Sequence, residues 1–223
     1  MKLRRFTILL LAFFTAILVN WVRSPATIIP PNTPNNPVNI YVVDYGFHNR
    51  LILPDGEGKW IQYAYGDWKY FALNQQDWIT GAAALLLPTQ GALGRRKLSN
   101  RDRLHLFAAQ KDNAVLSITV EKTKVERLLN LLNAYFDRAS VTPVENPLIG
   151  MTLVTYDQKY TLLHNSNHEL VRWLQDLGCR VEGFVLWANF QVRIPLPLQI
   201  HGSHPIENNG CCFYLSKAYV FLR

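Results

Sequence analysis

The sequence predicts an α+β domain built around an antiparallel sheet. Two patterns carry that expectation: a succession of short runs rich in β-branched and aromatic residues, and two stretches with helical apolar spacing. Of 223 residues, 49% are hydrophobic and 17% charged, with 12 Gly and 12 Pro. That composition is globular and excludes a disordered or collagen-like chain. The 186 residues after Pro37 suffice for a single domain, burying about 70% of its unfolded surface. Cys179, Cys211 and Cys212 are odd in number and two are adjacent, so no disulfide framework is expected.

The amino terminus, residues 1–23, reads as a membrane anchor or signal. Phe6 to Val22 carries no formal charge, with Lys2, Arg4 and Arg5 before it and Arg23 after it. As a helix this run spans about 25 Å, a little short of the ~30 Å hydrocarbon core. The cations favour an amino terminus inside and an exported remainder, a single-pass membrane protein with its carboxy-terminal domain outside the cytoplasm. The alternative is a secreted chain, cleaved at the small residues of Ser24-Pro25-Ala26. Without these four cations the net charge falls from +7 to +3. Arg95, Arg96, Lys97, Arg101 and Arg103 have no interleaved aromatics and read as a solvated loop, with anionic lipid or polymer contact the lesser alternative. Nucleic acid is not an expected partner.

Residues 24–37 contain Pro25, Pro30, Pro31, Pro34 and Pro37 among Asn and Thr, which reads as an extended spacer. Residues 38–223 form the domain. VNIYVVDY opens it as a strand, interrupted at Gly46 and completed by NRLILP up to Pro54. DGEGK is a turn, and KWIQYAYGDW alternates as a strand pairing back on the first. Asn74 to Leu87 is helix-compatible, ended by Pro88; RLHLFAA and AVLSITVEK are further strands. Thr123 and Glu126 form a capping box before a helix with Val125, Leu128, Leu129, Leu132 and Phe136 on one face. MTLVTY and KYTLL read as strands around an Asp157-Gln158 turn. Leu170, Val171, Leu174 and Leu177 mark a second helix, stopped at Gly178. The region beyond residue 179 is apolar and mixed, without a clear element pattern.

Two places carry candidate chemistry. In Asp44 to Arg50, His48 follows a glycine that lets a strand re-aim a side chain. A lone histidine is more often structural. In His164 to Glu169, Ser166 lies at the second helix's start, where free N–H groups and the helix dipole favour a developing anion. Ser166 and Glu169 also read as a capping box, which needs no chemistry. For metal, His164 and His168 are four apart, and His201 and His204 lie near Cys211 and Cys212, but no order matches an established zinc spacing. No metal and no cofactor are expected.

Together the two places resemble the bacterial domain-of-unknown-function family 2459, catalogued as a conserved hypothetical protein of urease regions. Its Gly-Trp-His has a counterpart in Gly46-Phe47-His48, its Gly-Trp-Gly-Asp and Phe-Tyr in Ala64-Tyr65-Gly66-Asp67 and Tyr70-Phe71, and its Asn-Thr-Cys-Asn in His164-Asn165-Ser166-Asn167. The likeness runs from about Val38 to Gly178. That family in turn resembles circularly permuted papain-like domains of amidases, peptidases and acyltransferases. The resemblance implies such a fold, with His48 as base and position 166 as nucleophile. Gln62, Tyr65 and Asp67 are candidates to orient the histidine, and Asn165 and Asn167 flank the nucleophile. Cell-wall peptide or lipid acyl groups are the substrates it implies.

Position 166 is serine where the family has cysteine. A thiolate is activated before substrate arrives; a serine must lose its proton during attack. A hydrolase or acyltransferase with slow or altered activity is therefore one expectation, and a noncatalytic binding or scaffold module, a pseudoenzyme, is the other. The topology is tested separately. A reporter fused after Arg223 should be active only outside the cytoplasm, with the protein retained in salt-washed membranes; cytoplasmic reporter activity would reverse the orientation.

Overall fold

The computed structural model describes residue 15 and residues 24–46, 48–100, 102, 115–138, 142–187 and 189–193. Phe6 to Val22, RLHLFAA, His201, His204, Cys211 and Cys212 lie outside this set, apart from residue 15. Among the described residues no helix is long and apolar enough to cross a membrane.

The architecture is α+β and rich in sheet. Strands β2 (Pro37–Asp44), β3 (Asn49–Pro54), β4 (Trp60–Asp67), β5 (Thr89–Leu98), β6 (Val115–Glu121), β7 (Val144–Asn146) and β8 (Met151–Tyr160) form a seven-stranded sheet ordered β6-β2-β3-β4-β5-β8-β7. Every pairing in it is antiparallel. Gly46 is more than an interruption. With φ at +89°, it turns the chain back so that β2 and β3 pair as a hairpin, closed by Tyr45 N–H donating to the His48 carbonyl. The basic cluster around Arg95 is likewise not a loop at its start, because it ends the interior strand β5. Arg95 donates to Asn133 Oδ1 at 3.0 Å and stacks over Phe136, while Arg96 pairs with Asp102. A long cation can lie on a sheet when its stem covers apolar surface and its head finds a partner.

β8 is continuous through Asp157-Gln158, where a turn was expected; a register shift opposite Gln90 and Gly91 absorbs the irregularity. Helix α1 (Trp78–Leu86) starts four residues later than Asn74, because Asp77 caps it by accepting from the Ile79 and Thr80 amides. Helix α2 (Lys122–Asp137) has Glu121 at its N-cap position, and no side chain caps it. The expected Thr123–Glu126 box is absent because the helix begins two residues too early for it. The Glu121 carboxylate instead accepts from the Asn35 and Asn36 amides.

One face of the sheet carries Ile40, Val42, Leu51, Leu53, Tyr63, Leu93 and Val154. Onto it pack Val125, Leu128, Leu129 and Leu132 of α2 and Leu170, Trp173 and Leu174 of α3 (Ser166–Asp176). The other face holds two smaller clusters, around Ala64, Ala92, Met151 and Leu153 and around Val43, Ile52, Leu98 and Val115.

The Pro/Asn-rich segment is not wholly a spacer. Its residues Ala26–Ile29 form β1, which pairs antiparallel with β9 (Arg180–Glu182) and parallel with β10 (Phe190–Val192). Ala26 and Ile28 are wholly buried, so alternate apolar residues outweigh the flanking prolines, and within the region after 179 Arg180–Glu182 and Phe190–Val192 are their partners.

Glu169 is fully buried on α3. Its carboxylate accepts from the Tyr156 hydroxyl at 2.9 Å and from Arg172 Nε at 3.1 Å, and meets His164 Nε2 at 3.0 Å. Glu169→Ala should lower the unfolding free energy by about 2 kcal/mol, since it takes away the buried acceptor of the Tyr156 hydroxyl and of the half-buried Arg172. The exposed pair Lys122–Glu126, 3.6 Å apart, makes the contrast: Glu126→Ala should cost under about 0.5 kcal/mol. Denaturant titrations of both variants check the difference.

Candidate functional site

At the end of the sheet where β4 finishes and β3 begins lies a cavity of about 320 Å³. His48 and Ser166, 118 positions apart in sequence, both line it, with Tyr65, Gly66, Asp67, Tyr160 and residues of α1. Its walls are mostly apolar and aromatic.

His48 stands just before β3. Tyr45 stacks on its ring, centroids 5.9 Å apart, and Phe71 meets it edge-on at 5.8 Å. Phe71 reaches that position because Gly66 has no side chain; a Cβ there would lie 2.6 Å from the Phe71 ring. The His48 Nε2 is buried and has no hydrogen-bond partner among the described residues. Burial, and then the charge of Arg50, lower its pKa from 6.5 to about 4. The imidazole is neutral at neutral pH and holds a free ring nitrogen.

Arg50 is buried without an acidic partner among the described contacts. It donates to Gln62 Oε1 at 3.2 Å and to the Ile149 carbonyl at 3.4 Å, and lies 4.1 Å over the Tyr45 ring. Gln62 in turn donates to the Tyr45 hydroxyl at 3.0 Å. Tyr65 donates to the Gln158 carbonyl, and the Asp67 carboxylate accepts the Tyr70 amide at 2.7 Å. The three residues expected to orient His48 are therefore engaged elsewhere. Gln62 instead braces Arg50 and the tyrosine on which His48 stacks.

Ser166 is the first residue of α3 and is buried. The cap is Asn165, whose Oδ1 accepts from the Asn167 amide at 3.0 Å and the His168 amide at 3.3 Å. The Ser166–Glu169 capping box is thus overturned. An amide at position 165 reaches the first turn directly, and Glu169 points into the Tyr156–Arg172 cluster. Ser166 has no capping task. The same cap narrows the expected oxyanion hole: with the Glu169 amide held by the Asn165 carbonyl, the Ser166 N–H is the first-turn amide left unpartnered among the described residues.

Asn165 and Asn167 pin this helix start. Both side chains donate to the Leu186 carbonyl, at 3.1 and 3.3 Å, and Asn167 Oδ1 accepts from Asn49 Nδ2 at 3.2 Å. The residue after His48 is thereby tied to the residue after Ser166. Tyr45, Tyr160 and the inner side of α1 also belong to the site, though nothing in their local sequence pattern distinguishes them from core or surface residues.

His164 faces Glu169, while His168 Nδ1 meets Asn165 Oδ1 at 2.9 Å, so the two rings serve different partners. Among the described residues no three His, Cys, Asp or Glu side chains gather as a metal set. Cys179 is buried, which pushes its thiol up to about 12 and leaves it unreactive. No family model, curated protein or solved structure matches the chain.

His48 should make stability pH-dependent. Its folded pKa lies below the unfolded value, so the unfolded chain takes up a proton first as pH falls. Stability is fully present above about pH 6.5 and is lost toward about pH 4. The loss should be on the order of 2 kcal/mol, allowing for partial exposure. Unfolding titrations of wild type and His48→Gln between these limits should show that component vanish in the variant.

Proposed function

We propose that this is an exported, membrane-anchored domain of papain-like ancestry whose cavity takes an acyl group, with Ser166 as nucleophile and His48 as base. The observation that carries the reading is the shared cavity: His48 and Ser166, from distant parts of the chain, line one mostly apolar space. In the step envisaged, the Ser166 hydroxyl proton moves to His48 Nε2 as Oγ attacks the acyl carbon, and the imidazolium returns it to the leaving group. The Ser166 N–H faces the developing oxyanion. The neutral state of His48 suits a base, but burial and then Arg50 oppose its protonation, which slows turnover.

The second reading is a noncatalytic module that binds an apolar group in the same cavity. It is favoured by the engagement of Gln62, Tyr65 and Asp67 away from His48, and by the Asn165 cap on two amides. Labelling of the full chain in detergent with a fluorophosphonate separates the two. Catalysis predicts a covalent adduct on Ser166 that is lost in Ser166→Ala and falls at least about tenfold in His48→Ala. An unlabelled wild type means the binding module. Ser166→Cys should alkylate well below the ordinary thiol pKa of about 8.5, provided His48 is intact.

A further inference from the structure

α1 is apolar on both sides. Its inner side gives Gly81, Ala84 and Leu85 to the cavity wall, yet Trp78 is 81% exposed, Ile79 62% and Leu86 78%. Its nine residues contain no charge, and Leu87 follows, also exposed. A helix on the surface of a water-soluble domain turns a polar side outward. This one does not.

The exposed apolar surface continues around the same end of the molecule. Leu163, 82% exposed, lies in the short turn between Tyr160, which lines the cavity, and Ser166. Trp187 is exposed on the loop whose Leu186 carbonyl is held by Asn165 and Asn167, beside Ser166. The chain enters the fold at this end too. The Ala26 amide donates to the Asn189 carbonyl, and Gly183 packs against Ala26, so β1 starts against that loop. The uncharged run ending at Val22 stops three residues before β1 begins at Ala26. Those residues can reach no more than about 14 Å.

We propose that this end of the domain rests on the bilayer in which the amino-terminal run is anchored. α1 lies along the interface, with Trp78, Ile79, Leu86 and Leu87 among the headgroups and upper acyl chains, and the cavity beneath it opens toward lipid. At nine residues α1 is suited to lie on a membrane and is too short to cross one. The entry point of the chain selects the bilayer as the occupant, since a short tether holds this apolar end against it. The inference is independent of any chemistry at Ser166.

The test uses the full chain, one copy per nanodisc, in phosphatidylethanolamine and phosphatidylglycerol with acyl chains brominated or not. The emission of Trp78 is obtained as the difference between wild type and Trp78→Phe, which cancels the other tryptophans. Bromination should quench this difference roughly twofold or more. In Ile79→Asp/Leu86→Asp the quenching should disappear while the melting temperature stays unchanged, both positions being exposed. Unquenched Trp78 emission in wild-type discs overturns the proposal. So does shielding of Trp78 only in discs holding two copies, which would make α1 a contact between chains, or only after a soluble protein is added. A failure of the fluorophosphonate experiment leaves this result untouched, and the reverse holds equally.

Discussion

A buried carboxylate on α3 sets the geometry on which the site depends. Glu169 has no exposure, so its charge must be met inside the protein. Tyr156 from β8, His164 from the turn before the helix and Arg172 one turn later converge on it. With β8 and the turn fixed, the contacts to Tyr156 and His164 set the rotation of α3, and Arg172, on the same helix, closes over the carboxylate. That rotation sends Leu170, Trp173 and Leu174 into the core and leaves Ser166 beside the cavity.

The helix start is then held by amides rather than by charges. Asn165 caps the first turn, Asn167 joins Asn49, and both grip Leu186. This arrangement is rigid, and it consumes donors that an acyl-transfer site would use. The histidine side shows the same tension. Stacking by Tyr45 and edge-on contact from Phe71 hold the ring in place and dry it, while Arg50, supported by Gln62, adds to the cost of a positive imidazole. The cavity is thus well ordered for an apolar ligand and weakly equipped to stabilise charge, which is why both an acyl-transfer and a binding reading arise from one set of contacts.

Much of the architecture was legible along the chain. β-branched alternation marked β2, β3, β4 and β6, and helical spacing marked α2 and α3, because those patterns follow directly from periods of 2 and 3.6. The misreadings share a cause. Arg95 and Arg96 looked solvated because charge usually is, yet Asn133, Phe136 and Asp102 receive them on a strand. Ala26–Ile29 looked like spacer because prolines flank it, yet strands from the far end of the chain pair with it. Ser166 looked like a cap because its spacing to Glu169 fits one, yet Tyr156 and Arg172 draw Glu169 away.

By itself, the sequence determined the class, the order of the main elements and the candidacy of His48 and Ser166. These are local properties, set by side-chain period, turn residues and composition. Tertiary structure alone decided that His48 and Ser166 share a cavity, that Asn165 rather than Ser166 caps α3, and that an apolar side of α1 is left exposed. Each depends on which partner reaches a group first in space, and partners 100 residues apart leave no periodic trace in the chain that carries them.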